Sequence, residues 1–231
     1  MIGKVYGIGV GPGDPKLLTL KALELLEKLK IIFYPSFGKK SIALDIARSY
    51  INPDAKLIEM NIPLFPDEER LAAYQNFTNQ MKEYLNNQID VGVLCEGDPL
   101  FFGSFIVIRD LLKDSHQVNV ISGISSIMAA FVHLDDFIGQ GDDTISIITA
   151  AKDEDHIKDK ILTSNTTIII KLAKHLRKIK KIATDLDLLA TSMYISQIDQ
   201  QQQHSDNLDM ISDEVIEYFS IVVIKNPMLK S

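Results

Sequence analysis

The sequence predicts an α/β protein made of two α/β domains, the first around a mainly parallel sheet and the second around a mixed one, with a ligand cleft between them. Three observations carry this. Short apolar runs alternate with longer amphipathic segments; two of the runs end in a glycine turn followed by Asp-Pro; and a small, polar stretch at Gly139-Gln-Gly-Asp-Asp143 precedes a second series of runs. Strands alternating with helices at this pitch form parallel sheets joined by right-handed crossovers.

Taken in order, residues 5–10 read as a strand, and 15–29 as an amphipathic helix capped by Asp14 with Pro15 at its first position. Residues 31–34 are a strand, 42–51 a helix capped by Ser41, and 56–60 a short strand. A helix over 68–86 starts at Asp67 and sets Leu71, Tyr74, Met81 and Leu85 on one side. Residues 91–95 are a strand, 99–112 a helix and 118–121 a strand, and a helix containing Met128 to Val132 follows. In the second series, strands fall at 145–149, 167–171, 191–196 and 221–225, with helices in part of the gaps. The low-complexity patch at 197–207, including Gln200 to Gln203, is a solvated loop or an irregular strand edge. The N-terminal domain is expected over 1–121, a connection over 122–143 and the C-terminal domain over 144–231.

A chain of 231 residues buries a substantial core. Its net charge of −7 argues against nonspecific nucleic-acid binding, which wants a basic surface. The single cysteine, Cys95, leaves neither a disulfide framework nor a cysteine-based zinc site, and the five histidines are too far apart for metal-ligand spacing. No signal-peptide pattern and no membrane-length apolar stretch is present, so a cytoplasmic setting is expected.

The first glycine turn, Gly7-Ile-Gly-Val-Gly-Pro-Gly-Asp14, lies where open α/β sheets bind their ligands, and its glycines let a ligand approach the backbone. Two familiar ligands fail on spacing. The dinucleotide fingerprint needs glycine where the chain has Pro12 or Asp14, and no Gly-Lys-Ser/Thr follows to make a phosphate loop. A carboxylate at the helix entry also competes with a phosphate for the same backbone donors.

A second turn echoes the first: residues 91–95 run into Glu96-Gly-Asp-Pro-Leu-Phe-Phe-Gly103. Asp14 and Asp98 read singly as helix caps, a role that does not exclude lining a ligand. Two such turns on parallel strands face one sheet edge, and together they point to a shared ligand site. A third element, Ile121-Ser-Gly-Ile-Ser-Ser126, offers serines that either cap the next helix or donate to a polar ligand.

These motifs, with the strand Thr167-Ile-Ile-Ile-Lys-Leu172, resemble in sequence and order those of the tetrapyrrole (corrin/porphyrin) methylase family, over nearly the whole chain. Ile32-Phe-Tyr-Pro35, Ser41-Ile-Ala-Leu-Asp-Ile-Ala47 and Phe102-Gly-Ser-Phe105 most resemble the members that methylate carbon 20 of precorrin-2 in cobalamin biosynthesis. The resemblance implies S-adenosylmethionine as methyl donor, S-adenosylhomocysteine as product, a tetrapyrrole substrate with or without cobalt, and a homodimer. By motif position it places Pro12, Gly97, Asp98, Phe101, Ser125, Ser126 and Leu172 (or Lys171, one residue away) against the donor. Many members carry Pro where this chain has Ser122, and nothing in the glutamine-rich stretch is diagnostic. Methylation of another tetrapyrrole carbon, or of a non-tetrapyrrole substrate, is the alternative.

Methyl transfer from a sulfonium needs alignment more than acid–base help. The chain shows no Ser-His-Asp set and no metal cluster, and the sequence nominates no catalytic acid or base. A substrate rich in carboxylates calls for local cations. Lys171, Lys174, Arg177, Lys178, Lys180 and Lys181 form the densest group, most of them on a solvated face, with Lys171 at a strand end the expected substrate contact. Lys39, Lys40 and Arg48 are further candidates.

Overall fold

A computed structural model describes residues 2–36, 41–63, 67–212, 217 and 219–229. The chain divides into two compact units, Met1–Ser126 and Ile127–Ser231.

The first unit is a five-stranded parallel sheet in the order β3-β2-β4-β1-β5, from β1 (Val5–Gly9), β2 (Ile31–Ser36), β3 (Lys56–Asn61), β4 (Val91–Cys95) and β5 (Val118–Ile121). Helices α1 (Leu20–Leu26) and α2 (Ile42–Ala47) cover one face, where Ala22, Leu26, Leu44 and Ala47 pack on Ile8, Ile32 and Leu94. Helices α3 (Asp67–Asn86) and α4 (Phe105–Leu112) cover the other, packing Met81, Leu85, Phe105 and Ile108 on Val5, Phe33 and Val93. The inner strands β1, β2 and β4 are almost wholly buried, as a sheet covered on both sides requires, while the edge strand β3 exposes Lys56, Leu57, Glu59 and Asn61. Each of the fully buried Phe33, Phe105 and Leu26 side chains contributes roughly 1.5–3 kcal/mol of burial. The chain leaves β1 toward β2 over the α1 face and leaves β4 toward β5 over the α4 face. Adjacent strands whose connections part to opposite faces make a topological switch point, where such sheets bind ligands.

Several local expectations change here. The helix expected over 15–29 is two pieces: a 3-10 turn, Pro15–Leu17, capped by Asp14, and then α1, with Leu18 and Thr19 extended between them. Thr19 is the true cap, its Oγ1 accepting from Ala22 N–H at 3.2 Å. The helix expected over 99–112 begins only at Phe105, because Phe102 takes a left-handed φ of +53° that no helix can contain. Tyr74, Met81 and Leu85 are buried as expected, but Leu71 is 47% exposed and Thr78 completes the buried face, its hydroxyl donating to Tyr74 O at 2.9 Å. Ser41 caps α2 as expected, accepting from Leu44 N–H.

The second unit holds α5 (Ser126–His133), α6 (Glu154–Thr163) and α7 (Leu176–Asp185) on a mixed sheet in the order β6-β7-β10-β8-β9. Its strands are β6 (Ile145–Thr149), β7 (Thr166–Ile170), β8 (Met193–Ser196), β9 (His204–Asn207) and β10 (Ser220–Lys225). Only β6 and β7 are parallel; β10 runs antiparallel to both β7 and β8. One face is covered by α6 and α7 through Ile157, Ile161, Leu176 and Ile179, and the other by α5 through Ile127, Ala130 and Phe131. The segment read from sequence as a connection, 122–143, thus contributes a helix to this unit's core. Lys225 pins the chain after α5, donating to Asp136 Oδ1 at 2.8 Å and Phe137 O at 2.6 Å with its ammonium over the Phe137 ring. The glutamine-rich stretch ends in β9, a polar edge strand paired with β8.

Candidate functional site

At the switch point of the parallel sheet, the turns after β1 and β4 are bonded to each other. Gly97 N–H donates to Gly11 O at 2.9 Å, Gly11 N–H returns a longer bond to Gly97 O, and Val10 N–H donates to Cys95 O at 3.0 Å. The turn after β5 closes against both. A Cβ on Gly9 would stand 2.5 Å from Gly123 N, and one on Gly123 only 2.1 Å from Gly97 O, so three backbones meet at distances that exclude any side chain. Gly97 itself has φ +63°, a conformation that only glycine holds at no cost.

Asp98 fastens this cluster. Its Oδ2 accepts from Gly123 N–H at 3.1 Å and its Oδ1 from Leu100 N–H at 2.9 Å. No helix starts there, so the expected cap is instead a bridge between the β4 and β5 turns. Asp14 does cap, accepting from Lys16 N–H at 2.9 Å, but only a three-residue 3-10 turn. Thr19, which the motif reading passed over, ties α1 to the same place through a long 3.5 Å bond from its Oγ1 to Ser122 O.

The expected ligand residues of this unit converge. Ser125 Cα and Ser126 N lie 3.7 and 3.8 Å from where a Gly97 Cβ would be. Pro12 is buried beside the Gly11–Gly97 pair, and Phe101 is 37% exposed at the rim, near the also exposed Leu100 and Phe102 in sequence, its ring edge-on to Phe102 at 5.1 Å. The result is a cradle of backbone and serine edges with an apolar rim, suited to a ligand that is part polar and part apolar. Beside it, burial raises the half-buried Glu96 carboxyl above its ordinary range, against backbone N–H groups of Glu96 and Ala43 that lower it. Burial, then the Glu96 charge, pushes the Cys95 thiol well above its ordinary range, which keeps it protonated and unreactive.

In the second unit, Lys171 leaves β7 at φ +57° and is exposed, while Leu172 is fully buried among Ile169, Leu176 and Ile179. Leu172 as a whole residue has no exposed surface, whereas Lys171 beside it does. The sheet register sets Ser220 opposite Ser196 and Ile221 opposite Ile170, so β7 and β8 end at one edge. Gln197 and Asp199, just beyond β8, also take left-handed φ values of +49° and +58°. Three non-glycine residues in that region at one sheet edge are a concentration of strain of the kind found at functional sites. Of the basic group, Lys181 pairs with Glu154 at 2.9 Å, Lys178 donates to Lys152 O and Lys180 to Ile211 O, so these serve the α7 surroundings. Arg48 pairs with Asp45 on its own helix, and Lys39 and Lys40 lie outside the described residues. Among the described residues no group of three or more His, Cys, Asp or Glu side chains could hold a metal ion, and no helix is long and apolar enough to cross a membrane.

A parallel sheet whose switch point carries a glycine cradle is the architecture of a ligand-binding α/β protein. The family described as Tetrapyrrole (Corrin/Porphyrin) Methylases matches residues 4–204, and the chain belongs to it. A probable cobalt-precorrin-2 C(20)-methyltransferase of Methanocaldococcus jannaschii is 36% identical over 97% of each chain. A precorrin-2 C(20)-methyltransferase of a Sinorhizobium species is 25% identical over 96% of this chain and 95% of its own. The crystal structure of uroporphyrin-III C-methyl transferase from Thermus thermophilus, complexed with S-adenosylhomocysteine, aligns with a TM-score of 0.68 at 16% identity, covering 96% of this chain and 97% of that one. The family resemblance read from the motifs is borne out.

Proposed function

We propose that the protein transfers the methyl group of S-adenosylmethionine to carbon 20 of precorrin-2, or of cobalt-precorrin-2, in cobalamin biosynthesis. The observation that carries this is the 36% identity, spread over 97% of both chains, to the M. jannaschii protein of that description. The cradle supports it. Pro12, Gly97, Asp98, Phe101, Ser125 and Ser126 are assigned to the donor. Backbone groups near Gly97 and the serines suit its polar parts, and the Phe101 rim suits its apolar faces and sulfur. Leu172 is assigned to the donor, and Lys171 to a substrate carboxylate.

Methyl transfer here is an in-line displacement from an activated sulfonium by an electron-rich ring carbon. The residues named act by holding donor and acceptor in line and keeping water out. The rigid bonding of the three turns serves that purpose, because alignment is lost with small displacements. A homodimer in the cytoplasm completes the reading.

The test is incubation with labelled S-adenosylmethionine and either precorrin-2 or cobalt-precorrin-2, with the methylated carbon located by NMR. Label at carbon 20 is the expected result. Label at another ring carbon overturns the position and keeps the family; no transfer to any tetrapyrrole overturns the reading.

A further inference from the structure

Phe102 is the one aromatic side chain among the described residues other than glycine that hold a left-handed φ; the rest are polar or charged. Short polar side chains tolerate that region, whereas for a bulky residue it is a genuine outlier. The strained residue also lies in an exposed apolar run: Leu100, Phe101 and Phe102 are 49%, 37% and 45% exposed. Neither feature helps the chain fold. Strain kept together with exposed apolar surface marks a place shaped for a ligand.

The turn that carries this run is anchored at both ends within the first unit. Before it, the Asp98 carboxylate holds Gly123 N–H and Leu100 N–H, and the Asp98 carbonyl accepts from Phe101 N–H at 3.2 Å. After it, a Cβ on Gly103 would stand 2.9 Å from Pro99 O, so the loop closes on itself. Phe105 is then fully buried, its ring 2.4 Å from where a Gly7 Cβ would be. A loop closed this tightly keeps residues 100–102 beside Gly97 and the cradle. Within it the rings of Phe101 and Phe102 stand edge-on, 5.1 Å between centroids and 83° between planes. Two rings at nearly a right angle cannot both lie flat on one planar ligand. In-line transfer sets the acceptor against the donor's methyl group, so the two ligands of this reaction share a border.

We propose that Phe102 is the stacking platform for the tetrapyrrole: its ring lies against the flat, conjugated part of the macrocycle while Phe101 keeps the donor. This rests on the proposed function and adds a substrate residue that the motif reading did not assign. Cations hold the carboxylates at the substrate's edge, whereas its flat centre calls for an aromatic surface, and offset stacking supplies both attraction and orientation. The left-handed φ turns the Phe102 ring away from the plane of Phe101, so the strain serves the angle between the two ligands.

The experiment measures kcat, KM for precorrin-2 and for S-adenosylmethionine, S-adenosylhomocysteine affinity, Tm and oligomeric state. It compares the parent with Phe102→Gly, Phe102→Leu and Phe102→Tyr. Glycine removes the ring and the backbone strain together, so Phe102→Gly is expected to keep Tm at or above the parent's. Its KM for precorrin-2 is expected to rise about tenfold, with KM for S-adenosylmethionine and S-adenosylhomocysteine affinity near the parent's. Phe102→Leu, apolar but without a ring, is expected to raise the precorrin-2 KM nearly as far, and Phe102→Tyr to leave it unchanged. A merely structural phenylalanine does not give this pattern, because its loss lowers Tm and both ligands together. An unchanged precorrin-2 KM in Phe102→Gly overturns the inference. An equal loss of S-adenosylhomocysteine affinity also overturns it, by placing Phe102 in the donor cradle. So does an altered oligomeric state with kinetics kept, which makes the exposed run a contact between copies. A parent that methylates no tetrapyrrole overturns the functional reading, and this inference with it; parental turnover separates the two failures.

Discussion

Asp98 bridges two turns by giving one carboxylate oxygen to Gly123 N–H at 3.1 Å and the other to Leu100 N–H at 2.9 Å. Asp98→Ala leaves both donors without that partner. Bonds to a charged acceptor contribute about 1.5–3 kcal/mol each, so Tm is expected to fall and S-adenosylhomocysteine affinity with it. Asp98→Asn, which keeps one acceptor oxygen, should lose less of both. Equal behaviour of the two variants in calorimetry and titration would count against the bridge.

Gly97 and Gly123 fail for different reasons when given a side chain. An alanine at 97 meets only ordinary contacts at 3.7 Å or more and suffers from φ +63° alone, a cost of roughly 1–2 kcal/mol. An alanine at 123 drives its Cβ to 2.1 Å from Gly97 O, and the backbone must move. Gly123→Ala is therefore expected to lower Tm more than Gly97→Ala. The reverse order in a thermal melt refutes the close packing of the three turns.

Ligand-linked melting tests the donor directly. At a hundred times its dissociation constant, S-adenosylhomocysteine should add about 2.7 kcal/mol, a rise on the order of 5–10 °C at this chain length. NAD should add nothing. A shift with NAD alone would remove the methyl-donor assignment.

Glu96 predicts a pH dependence. Its folded pKa is raised by burial, so between the ordinary carboxylate value and the raised one the folded state binds more protons than the unfolded. Stability must then fall as pH rises through that window. Glu96→Gln, which still accepts from the nearby N–H groups, should flatten this part of the Tm–pH curve and raise Tm at neutral pH. An unchanged slope in the variant assigns the titration elsewhere.

Lys171→Met is expected to raise KM for the tetrapyrrole more than KM for the methyl donor. An exposed ion pair contributes about 0–1 kcal/mol, so a several-fold effect would mark a partly desolvated contact. Unchanged tetrapyrrole kinetics returns Lys171 to the solvated lysines.

The strands and the two glycine turns were legible because hydrophobic runs and glycine spacing are local signals. The break at Leu18 and Thr19 and the late start of α4 were not. Asp-Pro opens helices in general, and what delays this one is the left-handed Phe102. The role of Asp98 was hidden for a related reason: its second partner, Gly123, is 25 residues away. Lys171 and Leu172 could not be separated by motif alone; one is exposed in a left-handed turn and the other lies in the core.

The strand order of the second unit has a consequence for how the chain is made. Its central strand, β10, follows every other strand of that sheet in sequence, and it pairs β7 on one side and β8 on the other. Until those residues emerge from the ribosome, β6–β7 and β8–β9 are two ribbons with open inner edges, exposed to wrong partners. The first unit has all its strands within residues 5–121 and is free to fold during that wait. Emergence of residues 220–225 is thus the step that closes the second sheet, and a ribosome stalled before residue 220 holds a first unit with all its strands and a second without its central one.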